Sequence, residues 1–422
     1  MSSIVSPRSP LWSAQVRPRD IAGKQIVMER GEGAYLFDTE GRRYFDTPSG
    51  LWYTAIGHSN EEMAQVAGDQ VRRLETHHVF QRFLNDRAIE LSEKLATISP
   101  IQDPKIILTS GGAESIEYAL KLARQHWQLR GKQEKTFVLS RENAYHGLHA
   151  FGTSITGLPW NRDGYGTPSL VPDTALVSHE DLAAVEARVH EIGAHKIAAI
   201  IAEPIIGSGG ILPPAPGYLE GLQRIARDND ILFILDEVIT GFGRTGRWFA
   251  TDRWELEPDM VVFAKGVTSG YAPLGGVFVA PQVWEPFFSD APDAPIYRHG
   301  VTYSGHALAS ALAIKNLEVI EREGLVQRAA DLEIFLGQEL QRLANNPHVS
   351  DIRVSGFAAG VELHDVATAN AAIDASIERG VITRMIGTKT LHICPPFVST
   401  EDELRNVVSV FEEAITTAGG AV

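Results

Sequence analysis

The sequence predicts an α/β protein: a mostly parallel central sheet in a large domain over residues 60–305, plus a smaller α+β domain built from residues 1–59 and 306–422. Three observations carry this. Short apolar runs alternate with helical patterns through the middle of the chain. Those runs are apolar without alternation, as strands covered by helices on both faces must be. Beyond about residue 305 the order changes to long helices followed by short strands.

From the N-terminus, residues 33–37 and 43–46 flank Asp38-Thr39-Glu40-Gly41, a hairpin signal with glycine closing the turn. Lys105 to Leu108 reads as a buried strand, followed by a glycine turn and a helix over residues 114–130. There Ile116, Ala119, Leu120, Ala123 and Trp127 recur at helical spacing as one apolar face. Residues 136–139, 197–202, 231–235 and 260–264 are further strands of the same kind. Helices are expected over 307–322 and 325–343, strands over 349–354 and 357–363, a helix over 371–379 and a strand over 390–394. A last helix spans 401–417, with Thr400 as N-cap.

The 422 residues are 44% hydrophobic and 22% charged, which suits a water-soluble protein with room for a large core. A formal net charge of −15 argues against nucleic-acid and membrane partners. An anionic cofactor must therefore be held by local dipoles and individual cations. Cys394 is the only cysteine, which excludes an intrachain disulfide and a cysteine zinc site. Its setting at the end of an apolar run makes it a core thiol. Met1–Pro10 lacks the apolar run of a signal peptide. No stretch approaches the ~20 apolar residues of a membrane helix, so a cytoplasmic protein is expected.

In an open parallel sheet, ligands bind beyond the carboxyl ends of the strands. Asp236 follows the run ILFIL, Lys265 follows MVVFA, Glu203 follows IAAIIA, and the turn Gly111-Gly112-Ala113 follows the strand that begins at Lys105. A lone acid or lysine at a strand end is commonly half of a structural salt bridge, but four such positions on one edge make a site. Desolvation after five apolar residues disfavours the charged form of Lys265 and frees its amine as a nucleophile. A carboxylate at so apolar a strand end needs a cationic partner, and a protonated pyridine nitrogen serves. Gly111 and Gly112 let backbone N–H groups approach a phosphate at a helix N-terminus. The turn matches neither the P-loop nor the dinucleotide fingerprint, which argues against ATP and NAD.

Two segments carry a family resemblance: Ile234-Leu-Asp-Glu-Val-Ile-Thr-Gly-Phe-Gly-Arg-Thr-Gly246 and Phe263-Ala-Lys-Gly-Val-Thr-Ser-Gly-Tyr-Ala-Pro-Leu-Gly-Gly276. With them the chain resembles, over essentially its whole length, the class III aminotransferases of the fold-type I pyridoxal-phosphate enzymes, especially the pyruvate-dependent ω-transaminases. The resemblance implies pyridoxal 5'-phosphate as cofactor, held by Lys265 as a Schiff base, with Lys265 then the base of the 1,3-proton shift. It implies Asp236 at the pyridine nitrogen, Val238 on one ring face and Tyr145, in Asn143-Ala-Tyr-His-Gly147, on the other. Gly112 and Ala113, beside Gly111, would supply phosphate-binding amides. Thr302 would reach the phosphate of the neighbouring subunit, giving a homodimer with shared active sites, with pairing into tetramers left open. Relatives usually carry serines where this chain has Gly111 and Ala113, so fewer hydroxyl contacts to the phosphate are expected.

For the substrate, the resemblance implies Trp52 and either Phe80 or Phe83 as pocket aromatics, and Arg384 as the arginine that binds the acceptor carboxylate and swings away for amines. A guanidinium suits that task because its planar fork pairs bidentately with carboxylate. Ser208 should lie near the substrate. Glu203 matches a position that neutralises a second arginine in 4-aminobutyrate-type relatives; the alternative here is that it simply lines the site. His146 and His149 lack an accompanying carboxylate cluster, so no metal site is expected. The tract Phe242–Gly246 is expected to be a structural loop near the dimer interface, and Arg72 and Arg73 a solvated helix face. The leading expectation is transfer of an amino group from a primary amine or ω-amino acid to pyruvate. The alternatives are a 2-oxoglutarate-dependent 4-aminobutyrate or ornithine type, a decarboxylase or aminomutase on the same fold, and a vestigial site without enzymatic role.

Overall fold

The computed structural model describes residues 10–166 and 169–420. Of the Met1–Pro10 stretch considered for a leader, only Pro10 lies within them. Three strands open the chain, β1 (Met28–Glu32), β2 (Tyr35–Asp38) and β3 (Arg43–Asp46), each antiparallel to the next. β2 and β3 form the expected hairpin. β1 gave no apolar signal because four of its five residues are exposed. Gly33, at φ +56°, turns the chain from β1 into β2.

Seven strands build the central sheet: β4 (Lys105–Thr109), β5 (Phe137–Arg141), β6 (Thr174–Val177), β7 (Ile197–Ala202), β8 (Leu232–Asp236), β9 (Met260–Phe263) and β10 (Gly275–Val279). Their order is β4-β10-β9-β8-β7-β5-β6. Strands β9 through β6 pair in parallel, while β10 runs antiparallel to both β9 and β4. All five apolar runs became strands. The other two escaped the sequence: β6 is a short, partly exposed edge strand, and β10 begins with two glycines. Residues of β7 to β10 are buried throughout, as strands covered on both faces must be. Helix Gly112–Leu129 lays its predicted face on this sheet, and Trp127 Nε1 donates to the Ala198 carbonyl at 2.8 Å.

Helices Ala307–Arg322 and Leu325–Leu340 lead into β11 (Val349–Val354) and β12 (Ala359–Leu363). Helix Val366–Glu378, β13 (Val381–Ile382), β14 (Met385–Ile386), β15 (Thr390–Ile393) and helix Glu401–Gly419 follow. The helix over 366–378 starts earlier than expected because the Asp365 carboxylate accepts from Thr368 N at 2.8 Å and caps it. Thr400 and Glu403 form a reciprocal capping box on the last helix. Strands β11, β12, β15 and β14 make one antiparallel sheet, while β13 adds in parallel to β3, with Val381 opposite Phe45. A single apolar cluster unites Phe45, Ile56 and Met63 with Leu336, Leu363 and Phe411. Each such side chain, fully buried, contributes about 1.5–3 kcal/mol.

The Phe242–Gly246 tract is a structural loop whose residues are buried within this chain. Arg244 NH1 donates to the carbonyls of Phe357 (2.9 Å) and Pro395 (2.7 Å), and its guanidinium lies 4.4 Å from the Phe397 ring centroid. Arg72 and Arg73 lie on a solvated face and pair with Asp69 and Asp86. Cys394 is buried among Trp52, Ile205 and Ile386. No helix among the described residues is long and apolar enough to cross a membrane.

Candidate active site

Strands β4, β5, β7, β8 and β9 run the same way, so their carboxyl ends share one edge of the sheet. The antiparallel β10 begins at that edge. A Cβ on Gly275 would come 2.8 Å from the Gly111 carbonyl carbon, so only glycine lets β10 pass so close to the turn. The backbone of Gly112, which opens the helix, lies beside Val238: a Cβ there would meet both Val238 methyls at 3.0 and 3.1 Å. Ala113 packs against Gly147, whose φ of +84° and close approach also require glycine. A Cβ on Gly111 would meet nothing within 4 Å, so its outer side is open. Glu114 Oε2 accepts from Ser110 N at 2.9 Å, and Ser115 Oγ lies 2.7 Å from Thr109 Oγ1, which ties strand to helix across the turn.

Lys265 begins a short helical turn straight after β9, at φ +45°. A non-glycine residue there stores about 1–3 kcal/mol of strain, a cost typical of functional positions. Burial lowers its amine pKa to about 8, and the nearby Asp236 and Glu203 carboxylates only partly oppose the shift. Asp236 closes β8, with its carboxylate buried. Its Oδ1 accepts from Val238 N at 3.0 Å and its Oδ2 lies 2.7 Å from His146 Nδ1, while His146 Nε2 is 3.1 Å from Ser140 Oγ. Because the carboxylate can only accept, Nδ1 of His146 carries the proton it donates to Asp236. His146 was considered in the sequence only as a metal ligand. Its place beside Tyr145 was the signal available, and its partners come from β5 and β8.

Glu203 is a clamp more than a lining group. Its Oε1 accepts from Tyr145 N at 2.9 Å and its Oε2 from Gly207 N at 3.0 Å. Burial raises its pKa, and these two N–H groups work against the rise. It thus fixes both the Tyr145 segment and the Gly207–Gly210 loop carrying Ser208. Burial likewise raises the Tyr145 phenol. Arg384 follows β13, and burial lowers its pKa; among the described residues its guanidinium makes no ion pair.

Trp52, Tyr145, Ser208, Lys265 and Arg384 line one cavity of about 390 Å³. Leu51, Trp160 and Asn161 also line it, and nothing in their local sequence marked them. A cleft of about 510 Å³ bounded by Arg130, Arg227 and Asp259 lies at the opposite, amino ends of β8 and β9, away from this chemistry. Phe80 and Phe83 do not line this chain's own cavity. They are 40% and 49% exposed, because residues 77–85 pack against the loop 299–306 instead. Asn85 Nδ2 donates to the Gly305 carbonyl at 2.8 Å, and a Cβ on Gly300 would strike the Phe80 ring at 2.8 Å. Thr302, on that same loop, is exposed. No group of three potential metal ligands occurs among the described residues.

These residues fit pyridoxal phosphate. A desolvated lysine amine with no hydrogen-bond partner among the described residues, a buried carboxylate at the next strand end and an open glycine turn at a helix N-terminus answer its aldehyde, ring nitrogen and phosphate.

A model of the family "Aminotransferase class-III" matches residues 18–415. The putrescine–pyruvate aminotransferase of Pseudomonas aeruginosa is 30% identical over 460 aligned positions, spanning 100% of this chain and 99% of that one. Gamma-aminobutyrate transaminase 1 of Oryza sativa, mitochondrial, is 30% identical and covers 92% and 81% of the two chains. Among solved structures, the ω-transaminase of Pseudomonas jessenii in complex with PMP superposes with a TM-score of 0.93 at 31% identity, over 99% and 98% of the two chains. With the match running through every strand that carries these groups, the chain belongs to the class III aminotransferases and is a pyridoxal-phosphate-dependent enzyme of the fold-type I architecture.

Proposed function

We propose that this aminotransferase moves an amino group from a primary amine or ω-amino acid to pyruvate in alternating half reactions. The observation that carries the reading is the cavity wall. Arg384 is the one guanidinium among the described lining residues, and Leu51, Trp52, Leu158 and Ile386 supply apolar surface. One guanidinium suits one carboxylate. The second carboxylate of 2-oxoglutarate would face apolar surface unpaired, which is costly. Glu203 spends its oxygens on Tyr145 and Gly207 and, among the described residues, forms no ion pair with an arginine, which supports the same reading.

When bound, pyridoxal phosphate supplies an electron-withdrawing ring that delocalises the electron pair left on the substrate carbon. Lys265 would hold it through the amine and would serve as the base that moves the substrate-carbon proton. Asp236, oriented by Val238 N and His146, would hold the ring nitrogen protonated. Tyr145 and Val238 would flank the ring, and the amides of Gly112 and Ala113 would hold the phosphate with the helix dipole. Arg384 orients the acceptor by its carboxylate, and the aromatic wall around Trp52 excludes water.

The same reading makes the active unit a homodimer. Phe80, Phe83, Thr302 and Tyr303 stand exposed on adjoining segments outside this chain's cavity, an apolar surface suited to a second copy. Thr302 would then serve the partner's phosphate.

The test is a half reaction: the yellow enzyme is mixed separately with L-alanine and L-glutamate, and the loss of its visible absorbance is followed. Bleaching by alanine alone is expected. Bleaching by glutamate alone would move the enzyme to the 2-oxoglutarate group and overturn the reading of Arg384.

A further inference from the structure

His392 is fully buried in β15, and the reading so far gives it no task. Its imidazole touches both substrate-side residues assigned to the pocket. The ring centroid lies 3.8 Å from that of Trp52 at an interplanar angle of 36°, and Nδ1 lies 3.4 Å from Arg384 Nε. The third side of the triangle is closed by Arg384, whose guanidinium carbon sits 5.7 Å from the Trp52 ring centroid.

The chemistry of the pair fixes the tautomer. Arginine only donates, so Nδ1 must be an unprotonated acceptor and the proton sits on Nε2. Burial, with Arg384, Arg244 and Lys265 nearby, holds the imidazole well below its usual range, so the ring is neutral beside the guanidinium. Among the described residues, Nε2 is buried without a hydrogen-bond partner. A leucine could fill this space against Trp52 without leaving a buried donor unpaired, so packing alone does not account for a histidine here.

The main chain makes the arrangement rigid. His392 N donates to the Arg384 carbonyl at 3.1 Å, and Thr383 Oγ1 donates to the His392 carbonyl at 2.8 Å. The Trp52 loop is tied to the same strand end: Ser49 Oγ donates to the Cys394 carbonyl at 2.6 Å and Cys394 N to the Thr47 carbonyl at 2.8 Å. With Nε engaged by His392, the two terminal nitrogens of Arg384 are left for the cavity.

We propose that His392 is a positioning residue for acceptor recognition: its Nδ1 holds Arg384 by Nε and its ring backs Trp52, so that the guanidinium meets a keto-acid carboxylate end-on through its two terminal nitrogens. The inference rests on Arg384 being the carboxylate-binding residue of the proposed function. It makes His392 selective, acting on carboxylate substrates and not on amines that lack a carboxylate.

The test compares His392→Leu, which removes the acceptor, with His392→Asn, whose Oδ1 can replace it, and with Arg384→Ala. The assays are the KM for pyruvate, competitive inhibition by propionate (a carboxylate with no keto group) and the half reaction with benzylamine. In His392→Leu the KM for pyruvate and the propionate inhibition constant should each rise about tenfold, the scale of one hydrogen bond to a charged group. The benzylamine half reaction should hold within about twofold, and His392→Asn should recover most of the carboxylate affinity. Unchanged pyruvate and propionate constants in His392→Leu, or an equal loss for benzylamine, overturn the inference. If Arg384→Ala raises both constants while His392→Leu does not, only the role of His392 falls. If Arg384→Ala leaves them unchanged, the carboxylate role of Arg384 falls with it.

Discussion

His146 Nδ1 lies 2.7 Å from Asp236 Oδ2, both side chains buried, and Ser140 Oγ stands behind His146 Nε2 at 3.1 Å. The three residues come from β5, the loop after it and β8, and together they hold one carboxylate oxygen in place. Val238 N holds the other at 3.0 Å. Asp236 therefore keeps a fixed position and does not rotate to solvate itself.

Asp236→Asn should lower kcat roughly 10- to 150-fold, the equivalent of a charge-assisted hydrogen bond of about 1.5–3 kcal/mol. His146→Phe should cost about tenfold, since Asp236 keeps Val238 N and loses only its orienting partner. Steady-state kinetics and the visible spectrum of the holoenzyme read both. A His146→Phe enzyme with wild-type kcat and spectrum would mean that Val238 N suffices.

The Lys265 amine, held at about 8, sets a pH dependence. A lowered lysine pKa enlarges the neutral, nucleophilic fraction: at pH 7 it is about 10%, against about 0.03% for an ordinary lysine. Uptake of pyridoxal phosphate by the cofactor-free enzyme should accelerate as pH rises and level off above about 8. Stopped-flow absorbance checks this, and a rate still climbing steeply at pH 10 contradicts it. Lys265→Ala should abolish both covalent uptake and turnover.

Gly147→Ala should loosen the phosphate turn. The new Cβ would lie 2.7 Å from Ala113 Cβ and 2.9 Å from Ala113 Cα, so the helix start must shift, and φ +84° adds about 1–2 kcal/mol. A cofactor Kd raised about tenfold is expected, since one to two weakened phosphate contacts suffice for that. Gly131→Ala is the control: φ is +72° there, but nothing lies within 4 Å. It should lower Tm and leave cofactor affinity unchanged in a fluorescence titration.

Glu203→Gln should damage the site without removing any group that touches substrate. Both oxygens accept backbone N–H bonds, so an amide must point its own N–H at Tyr145 N or Gly207 N. Breaking one such buried bond costs about 1–3 kcal/mol. Tm should fall, and kcat/KM should drop about tenfold as Tyr145 and Ser208 lose register. Calorimetry and steady-state assays on one preparation decide it; a wild-type Tm would show that the clamp carries no load.

The chain by itself determined which strands are buried, because unbroken apolar runs such as Ile197–Ala202 have no exposed face to offer. It also determined the strand-end positions of Lys265, Asp236 and Glu203, since a polar residue directly after such a run must sit at the sheet edge. Strand β10 needed the fold, because its glycines are chosen by the passage of Gly275 past Gly111, a contact between residues far apart in sequence. The same holds for the partners of His146 and for the His392 stack on Trp52. Hydrogen bonds between side chains of different segments leave no periodicity in a sequence; only tertiary packing fixes their distances. The same holds for Phe80 and Phe83, since aromatic character is visible in a sequence while the cavity a ring faces depends on which loop its segment packs against.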